Sequence, residues 1–235
     1  MTNQEIIEKT IAFVKSEFRN AEGGHDWFHI ERVRTNARNI AQAEPVDLFV
    51  VELGALLHDI ADYKFNGGDE TAGVKKTRNF LERLQVDEEV IGHVEKIIQN
   101  TSFKGGNFKA GFTSNELAVV QDADRLDAMG AIGIARAFNY GGFRGRAMYN
   151  PAINPVTGMS VDQYKQSKAP TINHFYEKLL LLKDRMNTET GRRLALQRHQ
   201  FMEYFLEQFF GEWNAGNAGN AGNAGNEGNA GNVKK

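Results

Sequence analysis

The stretch that decides the fold is Leu53-Gly54-Ala55-Leu56-Leu57-His58-Asp59-Ile60-Ala61-Asp62. Its run of apolar side chains predicts a helix buried on most sides. Into that setting the sequence places an adjacent His and Asp, then a second Asp three residues on. A buried carboxylate beside a buried imidazole is costly unless something compensates it, and a metal ion is a common compensation. The alternative is a helix C-terminus, with His58 to Asp62 reaching solvent after the apolar run. On this stretch alone both readings stand.

The chain has 235 residues, long enough for one sizeable domain or two small ones, and its 41% hydrophobic and 25% charged residues are ordinary for a soluble globular protein. A net charge of −2 offers no basic field for nucleic acid. The absence of cysteine removes disulfides, thiolate ligands and cysteine nucleophiles, and fits a reducing cytosol. The first residues lack the pattern of a signal peptide, and no apolar run approaches the ~20 residues of a membrane span. A cytoplasmic protein, with no nucleic acid or membrane as partner, is the expectation.

Working outward, residues 3–19 read as an amphipathic helix, and Asp26 caps a second running to about Ala43. Pro45 suits the first turn of the helix that ends at the opening stretch. Phe65 to Gly68 read as a turn, Asp69 caps a helix to about Leu84, and Asp87 caps the next. After the glycine-containing loop at 102–107, Thr113 and Glu116 have the form of a capping box. That box opens a helix through Met129, with a continuation to Phe138 left open. Residues 140–170 are irregular, a length that in a compact domain points to function or mobility. Helix resumes from Thr171 through Leu182 and Met186, breaks at Asn187-Thr188, and returns through Phe209. No strand alternation is evident, so the fold class is all-α, a compact multi-helix bundle over residues 1–213. Residues 214–235, Asn-Ala-Gly repeats with little to bury, are expected to be a disordered tail.

Metal-ligand residue types sit in three places: His29, the pair His58-Asp59, and Asp122, Asp124 and Asp127. Each place lies on a helix with an apolar face, so the three could converge in a bundle. Two imidazoles and two carboxylates suit a borderline or hard divalent ion with positions left for water and substrate.

The ordered set His29-x-x-Arg32-Val33, His58-Asp59 and Asp124-Arg125-Leu126 resembles the HD-domain superfamily of metal-dependent phosphohydrolases. With Gly24-His25-Asp26-Trp27, Gly130-Ala131-Ile132-Gly133 and His174-Phe175-Tyr176-Glu177-Lys178-Leu179, it is similar to the small single-domain bacterial branch. That branch includes nucleoside triphosphate pyrophosphohydrolases. The resemblance covers residues 5 to 212 and implies metal ligation by His29, His58, Asp59 and Asp124. Asp124 is preferred to Asp122 because the superfamily's last ligand directly precedes Arg-Leu. Asp127 then orients a ligand or Arg125, and Asp122 and Asp127 also read as caps or ion-pair partners.

One divalent ion is implied, Mn²⁺ first, with Mg²⁺, Co²⁺ or Ni²⁺ as alternatives. Asp62 takes the first position of an acidic pair seen in related stringent-response hydrolases, while Tyr63 replaces the second acid. Asp62 either handles the proton of a metal-activated water or hydrogen-bonds a ligand histidine. His25, four residues before His29, joins it as a catalytic candidate. Phosphate binding falls to Arg32, Lys104, Arg125, Arg144, His174 and Lys178, with His174 and Lys178 presenting two cationic groups from one helix face. His93 and His199 read as packing or surface residues.

The implied function is hydrolysis of a small-molecule (deoxy)nucleoside triphosphate to monophosphate and pyrophosphate, by a monomer or homodimer. The alternatives are a nucleotide phosphomonoesterase or phosphodiesterase on the same site, and a non-catalytic nucleotide-binding sensor. A purely structural all-α module predicts that His58 and Asp59 do not matter for metal content.

Overall fold

The computed structural model describes residues 1–19, 26–60, 70–101, 111–160, 163 and 166–215. Within them the chain forms nine α-helices and a 3₁₀ segment, with no strand among the described residues. They are α1 Asn3–Glu17, α2 Trp27–Ala41, α3 Leu48–Leu57, α4 Glu70–Arg83, α5 Glu88–Thr101, α6 Asn115–Asp127, α7 Gly130–Phe143, α8 Thr171–Glu177, the 3₁₀ segment Leu179–Arg185, and α9 Glu189–Asn214. None of these helices is long and apolar enough to cross a membrane.

The opening stretch is the centre of the bundle. Every residue from Val50 to Leu57 is buried, and α3 packs against α1, α2, α5 and α6. Helix α2 spends most of its packing on α6 and α3, so these three helices form the inner unit. Gly54 permits a close approach: a Cβ there would stand 3.0 Å from the Ile97 side chain of α5.

Several helix starts follow the expected chemistry and others shift by a residue or two. The Asp26 carboxylate accepts from His29 N–H at 2.9 Å, capping α2 and fixing the rotation of the turn that carries His29. Asp87 Oδ1 accepts from Glu89 N–H before α5. Helix α3, however, is capped by Asp47, which accepts from Phe49 and Val50 N–H, so Pro45 lies ahead of the helix rather than in its first turn. At α6 the cap is Ser114, whose Oγ accepts from Leu117 N–H at 3.0 Å. Glu116 does not reach back to close a capping box; its carboxylate accepts from Asp47 N–H and ties α6 to α3.

The helix after that cap does not continue to Phe138. It ends at Asp127, and Gly130 takes a positive φ of 68° at the start of α7. A Cβ at Gly133 would overlap the Ala128 carbonyl, so the sharp turn needs glycine on both sides. The reversal brings Arg136 of α7 back onto Asp127.

The irregular region begins after Phe143 and is joined to α8 by Thr171 N–H to Ala147 O and Ile172 N–H to Met148 O. Helix stops at Glu177, and the stretch through Leu182 is 3₁₀ instead of α. Helix α9 runs to Asn214, one residue into the segment expected as tail; residues 216–235 lie outside the described residues.

Candidate metal centre

Three helices deliver the four candidate ligands to one point. His29 lies in the first turn of α2, His58 caps the C-terminus of α3 with Asp59 next to it, and Asp124 lies near the end of α6. His29 Nε2 is 3.4 Å from Asp59 Oδ2 and 3.6 Å from Asp124 Oδ1. His58 Nε2 is 3.4 Å from Asp59 Oδ1 and 3.9 Å from Asp124 Oδ1. One ligand atom each from His29, His58 and Asp59 falls within a 4.8 Å cluster. His29, His58 and Asp59 are buried, whereas the Asp124 side chain is 31% exposed, which leaves the cluster open on its side.

The backs of both imidazoles are fixed. A carbonyl only accepts, so the 2.8 Å contact between His58 Nδ1 and Ala55 O makes Nδ1 the protonated nitrogen. In the neutral ring Nε2 is then the lone-pair atom, and it is buried with no hydrogen-bond partner among the described residues. His29 Nδ1 donates to Asp127 Oδ2 at 2.7 Å, turning its Nε2 toward the carboxylates. An orphaned buried imidazole nitrogen facing two carboxylates and a second imidazole fits a divalent cation.

The electrostatics agree. Burial alone would lower the His29 pKa, but Asp127, Asp59 and Asp124 outweigh it and hold the ring up at about 9. Ligation needs the neutral ring, so a bound cation takes the place of that proton. Asp127 is held well below the ordinary carboxylate range: burial opposes this, while His29, Arg32 and Arg136 prevail.

The chain matches the HD domain family over residues 27–129. It is 38% identical over 202 residues to the protein YpgQ of Bacillus subtilis, covering 86% of this chain and 90% of YpgQ. A crystal structure of an HD-superfamily hydrolase from Bacillus thuringiensis is 48% identical and superposes with a TM-score of 0.74, over 91% of this chain and 100% of that one. The crystal structure of YpgQ in complex with ADP is 37% identical with a TM-score of 0.68, over 86% and 95% of the two chains. The chain belongs to the HD superfamily. It is accordingly a metal-dependent phosphohydrolase.

Around this HD centre, Arg32 donates through Nε and Nη2 to the two oxygens of Asp127. Arg125 is engaged elsewhere, donating to Asp122 Oδ1, Gln121 and the Arg185 carbonyl. Asp122 is wholly buried and accepts from Asn187 and Thr188 N–H and the Thr188 hydroxyl, pinning α6 to the start of α9. Its role is the ion-pair and capping one. Asp127 orients the candidate ligand His29, and it pairs with Arg32 and Arg136 rather than with Arg125.

Arg144 is exposed and stacks over Tyr140, 6.0 Å from its ring centre. His174 does not add a second cation beside Lys178. Burial, helped by the charges of Lys178 and Arg146, pushes its pKa down to about 3, so the ring is neutral near pH 7. Lys178 stands at the break after α8 rather than on that helix. His25, Asp62 and Lys104 lie outside the described residues.

His93 packs edge-on against Phe112 and shares a 2.9 Å hydrogen bond with Ser114 Oγ, while His199 is buried beside Glu203. Neither belongs to the cluster. The residue that sequence reasoning missed is Arg136, which reaches Asp127 Oδ2 at 2.5 Å. The only available signal was the glycine pair at 130 and 133, which hinted at a turn but not at what it would return.

Proposed function

We propose that this protein hydrolyses nucleoside triphosphates to nucleoside monophosphate and pyrophosphate at the HD centre. The observation that carries the nucleotide class is the ADP complex of YpgQ, a relative 37% identical across 86% of this chain. His29, His58, Asp59 and Asp124 would hold one divalent ion, Mn²⁺ first. When bound, such an ion supplies positive charge to a phosphoryl oxygen and acidity to water.

The remaining chemistry falls to the chain. Asp62, four residues after His58, is the candidate to take the proton of the attacking water, with His25 as its catalytic partner. Water oxygen bonds to the α-phosphorus, the bond to the bridging oxygen breaks, and pyrophosphate leaves. Arg144, Lys178 and Lys104 are candidates for the phosphate charges, and neutral His174 for a hydrogen bond to them. Arg32 and Arg125 would act indirectly, through Asp127 and Asp122. A cytoplasmic setting suits a nucleotide substrate and a chain without cysteine.

The test is turnover of a nucleotide panel with Mn²⁺, Mg²⁺, Co²⁺ and Ni²⁺, with products identified. Pyrophosphate plus monophosphate supports the proposal. Nucleoside plus phosphate would shift it to a phosphomonoesterase. Tight binding without turnover would leave a sensor.

A further inference from the structure

We propose that the buried ion pair Arg34–Glu52 is a positioning clamp that sets the axial register of α2 against α3 and so brings His29 and His58 to one point, a role that rests on the two histidines being metal ligands. Glu52 is the one ionisable residue among the ten of α3, and it is 8% exposed. Arg34 of α2 donates to its Oε1 from Nε at 2.9 Å, and Arg34 Nη2 stands 2.7 Å from the same oxygen. Arg38, one turn further along α2 and half-exposed, approaches that oxygen to 3.6 Å.

The clamp and the ligand pair share one register. His29 precedes Arg34 by five residues and His58 follows Glu52 by six, with His58 still at helical angles of φ −58° and ψ −39°. At 1.5 Å per residue these steps are about 7.5 and 9 Å along the two axes. The order is reversed between the helices, so α2 and α3 run antiparallel and near-equal steps from the clamp lead to one level. There the two imidazoles stand edge to face, with ring centres 5.4 Å apart. A slip of one helical turn, about 5.4 Å, would carry them out of reach of a common ion, whose ligand distances hold to about 0.2 Å.

Apolar burial does not set that level by itself. Apart from His29, the buried residues of α2 are Ile30, Val33, Ala37 and Ile40, and every buried residue of α3 besides Glu52 is apolar or glycine. Their attraction is non-directional and follows area, so it tolerates small axial shifts that a guanidinium held on one carboxylate oxygen does not. Nor is stability a sufficient reason for the pair. Taking two charges out of water offsets much of their attraction, and well-packed apolar residues in place of a buried ion pair are often neutral or stabilising. Fixing register is the best-attested use of a buried polar contact.

The experiment compares the full-length wild type with the double variant Arg34→Met/Glu52→Leu, with Glu52→Gln and with Arg38→Met. Tm is read on metal-free protein, Mn²⁺ affinity by calorimetry, and the geometry of the site from the visible spectrum of the Co²⁺ form. The double variant is expected to keep the Tm of the wild type or exceed it, while binding Mn²⁺ about tenfold more weakly and with an altered Co²⁺ spectrum. Glu52→Gln keeps the side-chain shape and an acceptor oxygen for Arg34, and is expected to lose a smaller factor; it decides the matter if the double variant does not fold. Arg38→Met is expected to match the wild type in affinity and spectrum. Wild-type affinity and spectrum in both Glu52 variants overturn the clamp. So does an equal loss in Arg38→Met, or a loss of affinity that appears only together with a fall in Tm. A wild type that binds no ion overturns the ligand reading and the clamp together. Nucleotide turnover enters none of these readouts, so a failed substrate assignment and a failed clamp are told apart.

Discussion

His29 Nδ1 and Asp127 Oδ2 stand 2.7 Å apart, joining the first turn of α2 to the last residue of α6. Through that bond the end of α6 decides which nitrogen of His29 is offered to a metal. Removing a carboxylate that orients a ligand histidine commonly costs about 10–100-fold in metal affinity. Asp127→Asn is expected to weaken divalent-ion binding by that amount, measured by calorimetry on metal-free protein. A smaller loss is expected for Arg136→Gln, which loosens Asp127 without touching His29. Unchanged affinity in Asp127→Asn would reject the orienting role.

His58 Nε2 is buried with no hydrogen-bond partner among the described residues, a cost that metal binding would relieve. Because an ion binds only the assembled site, Mn²⁺ should raise the Tm of the wild type in a concentration-dependent way. His58→Ala and Asp59→Ala should remove both that rise and the metal found by elemental analysis. Retention of one ion per chain in either variant would point to a different site.

Much of the centre was legible because its parts are local. The apolar run 48–57 announced a buried helix, while adjacent His58 and Asp59 at its end stood open between burial and solvent until the ordered pattern along the chain was added. His29 and Asp124 carried no such sign; their place depended on an ordered pattern across the chain, since convergence is a property of packing. The α6–α7 reversal stayed open in the sequence because apolar periodicity runs through it, while the left-handed φ of Gly130 is visible only in three dimensions. Arg136 was missed for the same reason. The charge of His174 was misread because sequence spacing counts a histidine as a cation, whereas burial beside Lys178 and Arg146 makes it neutral.

Asp122 holds the fold at a joint rather than at the surface. Its carboxylate accepts from Asn187 N–H at 2.9 Å, Thr188 N–H at 2.8 Å and the Thr188 hydroxyl at 2.8 Å. Asp122→Ala leaves these donors without their acceptor and Arg125 without its carboxylate partner, at a cost of about 3 kcal/mol or more. Gly191→Ala should be comparably damaging, since a Cβ there would collide with Asp122 Oδ2. Denaturant unfolding of both variants checks this; a loss below about 1 kcal/mol would show that the joint is dispensable.

His174 gives the protein a calculable acid weakness. Its pKa is near 3 in the folded state, against an ordinary value near 6.5, because burial and the neighbouring charges of Lys178 and Arg146 disfavour the cation. Above about pH 6.5 the ring is neutral in both states and contributes nothing to the pH dependence. Between about 6.5 and 3 the unfolded chain binds a proton that the folded chain refuses, so stability falls as pH falls. The slope from this one group approaches about 1.4 kcal/mol per pH unit and flattens below pH 3, where both states are protonated. His174→Asn cannot titrate, so its unfolding free energy should decline less between pH 6.5 and 4.5 than that of the wild type. Other groups titrate in that window but are common to both proteins, and the difference isolates His174. Denaturant unfolding of metal-free protein at both pH values measures it, and parallel losses in the two proteins would mean that His174 accepts its proton in the folded state.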